Sequence, residues 1–418
     1  MSKNNRSLKN KIKIKLKPLR PFYIKHFRPK LYKKSKKLYK TDTNIDYKTI
    51  EQKLVICEKD HIDYINFNKE LSVSSPNSKK TFIWFVPNWS NVWGGGHYTL
   101  FRFANHFSKH DVENIIFIYN HTKKTNIEAE DELKVALKDS NLKVITNIDD
   151  LKECDAAFAT TWQSAYYVRN FANAKKKFYF MQDYESQFYA YGTQSMQANN
   201  SYTFGFIGVT GGTWLKEIYE SYGGKAQNYI FSSDKNIFYP LNEDGKIKNK
   251  ISKLFFYGRP STERRCYELG MSSLEAISNK YPELEIAIAG LDLKEKPKFK
   301  ATLLGNLSLK ETGDLYRTCD AGIAFSATNL SYLPVELMAS GCPVITNKGP
   351  QTEWYCNKNN SIIVDPVTSS VLDGFDRLYN SYDLRQNLVK EGLIKSKQTS
   401  WENEMEKIYK YIEENLKT

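Results

Sequence analysis

No run of 18 apolar residues occurs anywhere in this 418-residue chain, so it carries no membrane-spanning helix of ordinary length. The basic start lacks the apolar core of a secretory signal, and no cleaved leader is expected. The six cysteines (Cys57, Cys154, Cys266, Cys319, Cys342, Cys356) show no C-x-x-C spacing, which predicts scattered reduced thiols in place of a zinc site or a disulfide frame. There is no D-x-D, no G-x-S-x-G and no Walker loop, and the spaced glycines of the dinucleotide fingerprint G-x-G-x-x-G are missing. His97, His106 and His110 have no metal-ligand spacing around them. No metal and no cofactor are therefore expected.

Acidic residues are missing from one region only. The first 40 residues hold sixteen of the 61 Lys and Arg and no Asp or Glu; the remaining 45 basic residues nearly balance the 47 acidic ones. The net charge of +14 therefore belongs to an N-terminal arm. Such an arm can be a solvated tail, a nucleic-acid binder or a segment that lies on anionic lipid. No nucleic-acid motif follows it, so no nucleic-acid partner is expected. Phe, Tyr and Leu interleave with lysine in "LRPFYIKHFRPKLYKKSKKLYK", a pattern that seats rings at headgroup level while lysines meet phosphate.

What remains is a globular composition, 41% apolar and 26% charged, too long for a single core. "TFIWFVP", "NIIFIYN", "LKVITNI", "DAAFATTW", "KKFYFMQD" and "FGFIGVTGG" read as buried strands with helical segments between them. A polar stretch near Phe238, "YPLNEDGKIKNKIS", reads as a linker. "KLFFYGR", "LEIAIAG", "KATLLGN", "DAGIAFSA", "PVITN" and "SIIVDP" then form a second series. Strands alternating with helices imply parallel sheets covered on both faces. The expected fold is α/β, with two Rossmann-like doubly wound domains facing a central cleft. The expected bounds are a basic extension over 1–75, domains over 76–240 and 241–398, and a closing helix over 399–418. That helix has a capping box at Thr399 and Glu402 and a stripe of Trp401, Met405, Ile408, Ile412 and Leu416.

Five constellations carry chemistry. "GGG" (Gly94–Gly96) opens a helix after the first strand, where free N–H groups attract anions and glycine admits a phosphate closely; a tight turn without ligand would also explain it. "YGRPSTERR" ends a strand at Gly258 and then places Arg259, Arg264 and Arg265, whose permanent charge suits a diphosphate. "SATNLSYLPVELMASGCPVITN" sets Glu336 in the first turn of a helix. Its carboxylate can take both hydrogens of a ribose diol, with the backbone of Ser331, Tyr332 and Leu333 ahead of it for phosphate. "LLGNLSLKETGD" offers open backbone near Leu307 to a base edge. "FMQDYES" delivers Asp183 and Glu185 to a strand end, where Asp183 is a candidate acid, base or sugar-hydroxyl partner.

The glycine-opened helix, "GRPSTERR" and "PVELMASGCPVITN" together resemble glycosyltransferase family 4, which has the GT-B fold. "HYTLFRFAN", "YFMQDYESQFYAYG" and "GRPSTERRCYELG" are similar to rhamnosyltransferases of bacterial surface glycans. The resemblance covers about Thr81 to Thr418. It implies that Gly95 and Gly96 face the donor diphosphate, that Arg259 and Arg264 hold it from the other side, and that Glu336 binds the nucleotide ribose. Glu336 matches the second glutamate of the family's E-x7-E pattern, whereas Thr328 stands where the first belongs. The implied activity is metal-independent transfer of a sugar, with retention, from a nucleotide sugar such as dTDP-L-rhamnose to a glycan hydroxyl. The acceptor would be capsule or O-antigen, possibly lipid-linked, and the place the cytoplasmic face of the cell membrane. A nucleotide-sugar 2-epimerase and a non-catalytic glycan-binding protein are the alternatives on the same fold.

Overall fold

The computed structural model describes residues 79–120, 122–242, 247–290 and 296–417. The basic arm and the whole of the 1–75 extension lie outside these residues.

The first strand shows why the sheets form. β1 (Lys80–Val86) is apolar without alternation, and its two faces feed separate cores: Phe82 and Trp84 enter one, Ile83 and Phe85 the other. A strand buried on both faces needs neighbours on both edges and helices on both sides. It pairs in parallel with β2 (Val112–Ile118) and β4 (Cys154–Ala159). Trp84 stacks on Phe158 with ring centroids 4.1 Å apart, and its indole N–H donates to Asn114 at 2.9 Å. β3 (Lys143–Ile145), β5 (Ala174–Met181), β6 (Ile207–Gly211) and β7 (Lys225–Tyr229) complete a parallel sheet of order 3-2-1-4-5-6-7. The connecting helices are α1 (Gly95–Phe107), α2 (Asn126–Ala136), α3 (Trp162–Asn170), α4 (Thr193–Ser201) and α5 (Thr213–Ser221).

The second sheet repeats the plan. β8 (Lys253–Gly258), β9 (Glu285–Gly290), β10 (Thr302–Gly305), β11 (Ala321–Ile323), β12 (Val344–Asn347) and β13 (Ser361–Val364) run parallel in the order 10-9-8-11-12-13. Its helices are α6 (Tyr267–Lys280), α7 (Leu309–Thr318), α8 (Leu333–Ala339), α9 (Pro350–Glu353), α10 (Thr368–Asn380) and α11 (Tyr382–Lys397). Each sheet reverses its winding beside its first strand, between β1 and β4 and between β8 and β11. Loops splay apart at such a point and leave a crevice at the carboxyl ends of the strands.

Every strand expected from the sequence is present, and one more. β7, "KAQNY", is polar and pairs on one side only, so periodicity does not reveal it. The closing helix α12 (Trp401–Lys417) lies against β7 and α1, with Trp401, Met405, Ile408 and Ile412 buried. Its cap differs from the expected box. Ser400 accepts the Asn403 N–H at 3.2 Å, while the Thr399 hydroxyl turns to the Phe231 carbonyl. The five described cysteines are free thiols.

The two sheets meet at a seam built around one carboxamide. Asn329, fully buried, donates to the carbonyls of Gln182 at 2.9 Å and Gly211 at 2.6 Å, which end β5 and β6. Its oxygen accepts the Trp354 indole N–H at 3.1 Å, and its backbone N–H donates to Asp183 at 2.8 Å. Trp354 packs so closely on Gly212 that a Cβ there would sit 2.6 Å from the ring; Gly212 also has φ +88°, open only to glycine without strain. Beside this knot, Phe231 packs on Tyr332, and Arg102 pairs with Asp234 at 2.7 Å between the rings of Tyr98 and Trp401. Asn329→Ala leaves two carbonyls and an indole N–H unpaired in a buried seam. At about 1 kcal/mol or more for each group, the expected loss is about 3 kcal/mol in urea unfolding; a loss below about 1 kcal/mol would contradict this account of the seam.

Candidate active site

β1 delivers the chain to Pro87, and a short turn leads into α1. The Trp93 N–H donates to the Asn91 side chain at 3.0 Å, and the Gly94 N–H to the Asn91 carbonyl at 3.1 Å. Gly94 is the N-cap and supplies no side chain, so the first-turn N–H groups of α1 have no intrahelical or capping partner. None of the three glycines has positive φ. A Cβ on Gly95 would lie 3.7 Å from Tyr332 and one on Gly96 3.7 Å from Gln182, both ordinary contacts. Neither the backbone nor the packing therefore demands glycine at 95 and 96. The turn alone does not require them, and both leave backbone N–H groups uncovered at the helix mouth.

Both glycines are exposed on the wall of a cavity of about 470 Å³ between the carboxyl ends of the two sheets. Gly95, Gly96, Asp183, Arg259, Arg264, Leu307, Ser331, Tyr332, Leu333 and Glu336 all line it. Residues spread over more than 200 positions thus converge on one space. Arg259 is exposed and makes no ion pair with any described residue. Arg264 lies over the Phe188 ring at 4.0 Å, and its Nε is 3.3 Å from Asp183 without a directed hydrogen bond. Tyr332 contributes less than its position suggests. Its ring is held in the seam by Phe231 and Trp401, and its hydroxyl is 2.8 Å from Thr99. Glu336 sits in the first turn of α8. Its carboxyl is pushed up to about 8, chiefly by desolvation and also by the charge of Asp234, against the opposing charge of Arg102.

Asp183 is already committed. One oxygen accepts the N–H groups of Asn329 at 2.8 Å and Tyr184 at 2.9 Å, and the other faces Arg264 and Arg265. In this arrangement it is a cross-seam carboxylate, with one oxygen held by two N–H groups and the other turned toward Arg264 and Arg265 without a directed hydrogen bond. Arg265, adjacent in sequence to Arg264, is also structural. It donates to the Ser326 hydroxyl at 2.6 Å and the Asn329 carbonyl at 3.1 Å, and so braces the loop before α8. Glu185 accepts the Trp162 N–H at the start of α3, and its carboxyl is pushed up to about 8, chiefly by burial and also by Asp183, against the Trp162 hydrogen bond and Arg264.

Several lining residues escaped the site assigned from sequence, Trp93, His97 and Gln182 among them, whereas Glu185 lines it at the strand end where the sequence put it. The first two belong to the glycine segment itself, and only the folded turn shows which way they face. Thr328, where the resembled family carries its first glutamate, is buried under the loop and does not line the cavity. Away from the cleft, His106 and His110 do acquire a third potential metal ligand. Glu406 of α12 lies 3.5 Å and 3.0 Å from their Nε2 atoms. That residue is 300 positions from His106, so spacing along the chain cannot reveal it.

Two parallel-sheet α/β domains facing one cleft define the GT-B fold, and known structures agree. The fold is similar to Alr3699/HepE of Anabaena, solved with UDP and glucose, at a TM-score of 0.62 and 12% identity over 80% of this chain and 100% of that one. It is also similar to WaaG, a glycosyltransferase involved in lipopolysaccharide biosynthesis, at a TM-score of 0.57 and 10% identity over 79% and 99%. Within that class, residues 252–375 match the family model of the WsaF C-terminal domain. The chain is 33% identical, over an alignment 346 residues long, to the O-antigen biosynthesis protein RfbC of Myxococcus xanthus; the alignment covers 79% of this chain and 27% of RfbC, so the chain spans about a quarter of that relative's length.

The two raised carboxyls set a pH dependence. Their ordinary value is 4.5 and their folded value about 8, so between these limits the folded state holds protons that the unfolded chain has released. Stability from this source falls as pH rises through that window. Glu185→Gln and Glu336→Gln should each gain stability relative to the parent between pH 5 and pH 8 in parallel urea titrations. Parallel curves for parent and variants would remove the effect.

Proposed function

We propose that the chain is a glycosyltransferase that moves a sugar from a nucleotide sugar to a hydroxyl of a surface glycan. One observation carries this: the open helix mouth at Gly95 and Gly96, the unpaired Arg259, Arg264 and the carboxyl of Glu336 face one cavity from opposite domains. Breaking the bond from sugar to diphosphate builds negative charge on the leaving group. Guanidiniums and helix N–H groups placed there stabilise that charge where it develops. Glu336 suits the ribose diol. The relatives named for O-antigen and lipopolysaccharide biosynthesis support a surface-glycan acceptor.

The finer proposal is a metal-independent, retaining rhamnosyltransferase using dTDP-L-rhamnose. Arg259 and Arg264 line the cavity with permanent positive charge, which can stabilise a departing diphosphate without a metal ion. The sugar and base rest on the sequence resemblance to rhamnosyltransferases. A panel of nucleotide sugars tests the whole: release of nucleoside diphosphate only when an acceptor is present supports transfer. Interconverted sugar on an intact nucleotide supports a 2-epimerase. Binding of glycan without turnover of any donor supports a non-catalytic binder.

Among the described residues no helix is long and apolar enough to cross a membrane. We place the enzyme at the cytoplasmic membrane surface, held there by the basic arm. Arg259→Ala should lower turnover by about 100-fold, the scale of losing one charge-stabilising donor, with an unchanged melting temperature because its exposed side chain makes no ion pair with a described residue. Unaltered turnover would remove its diphosphate role. Deleting Met1 to Lys40 should weaken binding to anionic vesicles at low salt and spare activity on a soluble acceptor; equal vesicle binding would sink the membrane role.

A further inference from the structure

Building on the donor site proposed above, we infer that the acceptor glycan lies over Trp93 and presents its attacking hydroxyl to Nδ1 of His97. The two residues flank the glycines on one turn, and both line the cavity.

The tautomer of His97 follows from its surroundings. Its Nε2 lies 3.2 Å from the Pro87 carbonyl oxygen. A carbonyl only accepts, so Nε2 carries the proton and Nδ1 of the neutral ring carries the lone pair. Nδ1 has no hydrogen-bond partner among the described residues and is not sealed from solvent. The ring is fixed beside Trp89 and Phe101, with centroids 6.1 and 6.0 Å away. It is also held neutral. Burial lowers its pKa, the Pro87 hydrogen bond opposes this, and the charge of Lys124 lowers it further. Lys124 is itself seated by Glu132 at 2.6 Å and the Trp89 carbonyl at 2.8 Å. The result is an oriented, uncharged proton acceptor that immediately follows the glycines of the diphosphate cradle.

Trp93 supplies the surface on which a glycan would rest. It is 40% exposed, which is unusual for a large indole, and its backbone is pinned by Asn91. An open aromatic face suits the C–H face of a sugar ring. On the far side of the same turn, Val92 borders a shallow hollow of about 630 Å³ walled by Lys123, Lys124, Glu128 and Asp131. Carboxylates and ammonium groups around an apolar floor match the hydroxyls of a saccharide that continues outward.

The step balances as follows. The acceptor oxygen bonds to the anomeric carbon, and the bond from that carbon to the phosphate oxygen breaks, its electron pair leaving with the nucleoside diphosphate. The acceptor proton passes to Nδ1, and the imidazolium returns it to solvent.

The test uses the full chain with the donor that the parent turns over and a short oligosaccharide acceptor, from pH 5 to pH 9. His97→Ala and His97→Gln should lower kcat at least about 100-fold, the lower end for loss of an acid–base group, and abolish the acid limb of the pH–rate profile. Nucleoside diphosphate affinity by calorimetry should stay within about twofold of the parent. Glutamine can still donate to Pro87, so it separates a positional from a proton-accepting role. Trp93→Ala should raise the acceptor KM with the donor KM unchanged, and Trp93→Phe should recover most of it. An acid limb and kcat retained in both His97 variants would overturn the base. Equal acceptor KM in Trp93→Ala would overturn the platform. A parent that binds nucleoside diphosphate and still transfers to no saccharide would overturn the acceptor assignment while sparing the donor site. A parent that binds no nucleotide would overturn the proposed function itself, and this inference with it.

Discussion

Asn329 and Asp183 meet where the two sheets touch, and the geometry of the cleft depends on that meeting. One carboxamide ties the ends of β5 and β6 to the loop before α8, with both amide hydrogens and the oxygen paired. Its backbone N–H fixes Asp183, whose other oxygen seats Arg264 and Arg265. Buried polar groups tolerate few alternatives, because each lost partner costs the full desolvation of the other. The seam therefore sets how far apart the jaws stand, and with it the width of the space between the glycine mouth and the arginines.

The electrostatics of that space follow from the same closure. Two carboxyls, Glu185 and Glu336, are drawn far enough from water to hold protons near neutral pH, while Arg259 stays solvated and unpaired. The positive charge nearest the cleft is thus left for a ligand, apart from the portion of Arg264 that Asp183 shares. A neutral His97 fits the same scheme: it adds no charge and leaves a lone pair available.

The closing helix couples this region to the rest of the molecule. α12 lies on β7 and α1, Trp401 touches both Tyr332 and Arg102, and Arg102 in turn pairs with Asp234. The hydrophobic stripe that announced this helix gave its face correctly, but its first residue was misplaced by one. Ser and Thr at adjacent positions are both good caps, and only the approach of Phe231 decides which one turns inward.

Much of the protein was legible from residue order alone. Continuous apolar runs bounded by glycine and polar turns mark strands buried on both faces, so the two parallel sheets and the cleft at their carboxyl ends followed from periodicity. Glycine at a helix mouth, arginines at a strand end and a glutamate in a first helical turn are local signals, and they located the main walls of the cavity. Tertiary structure decided what depends on neighbours distant in sequence. It made β7 a strand by giving it an edge to pair with, and it consumed the Tyr332 ring and the Asp183 carboxylate in the seam. It also turned Trp93 and His97 toward the cavity, and brought Glu406 to His106 and His110. Local spacing encodes backbone conformation and burial pattern, whereas the partner of a polar side chain is settled only when segments hundreds of residues apart compete for the same hydrogen bonds.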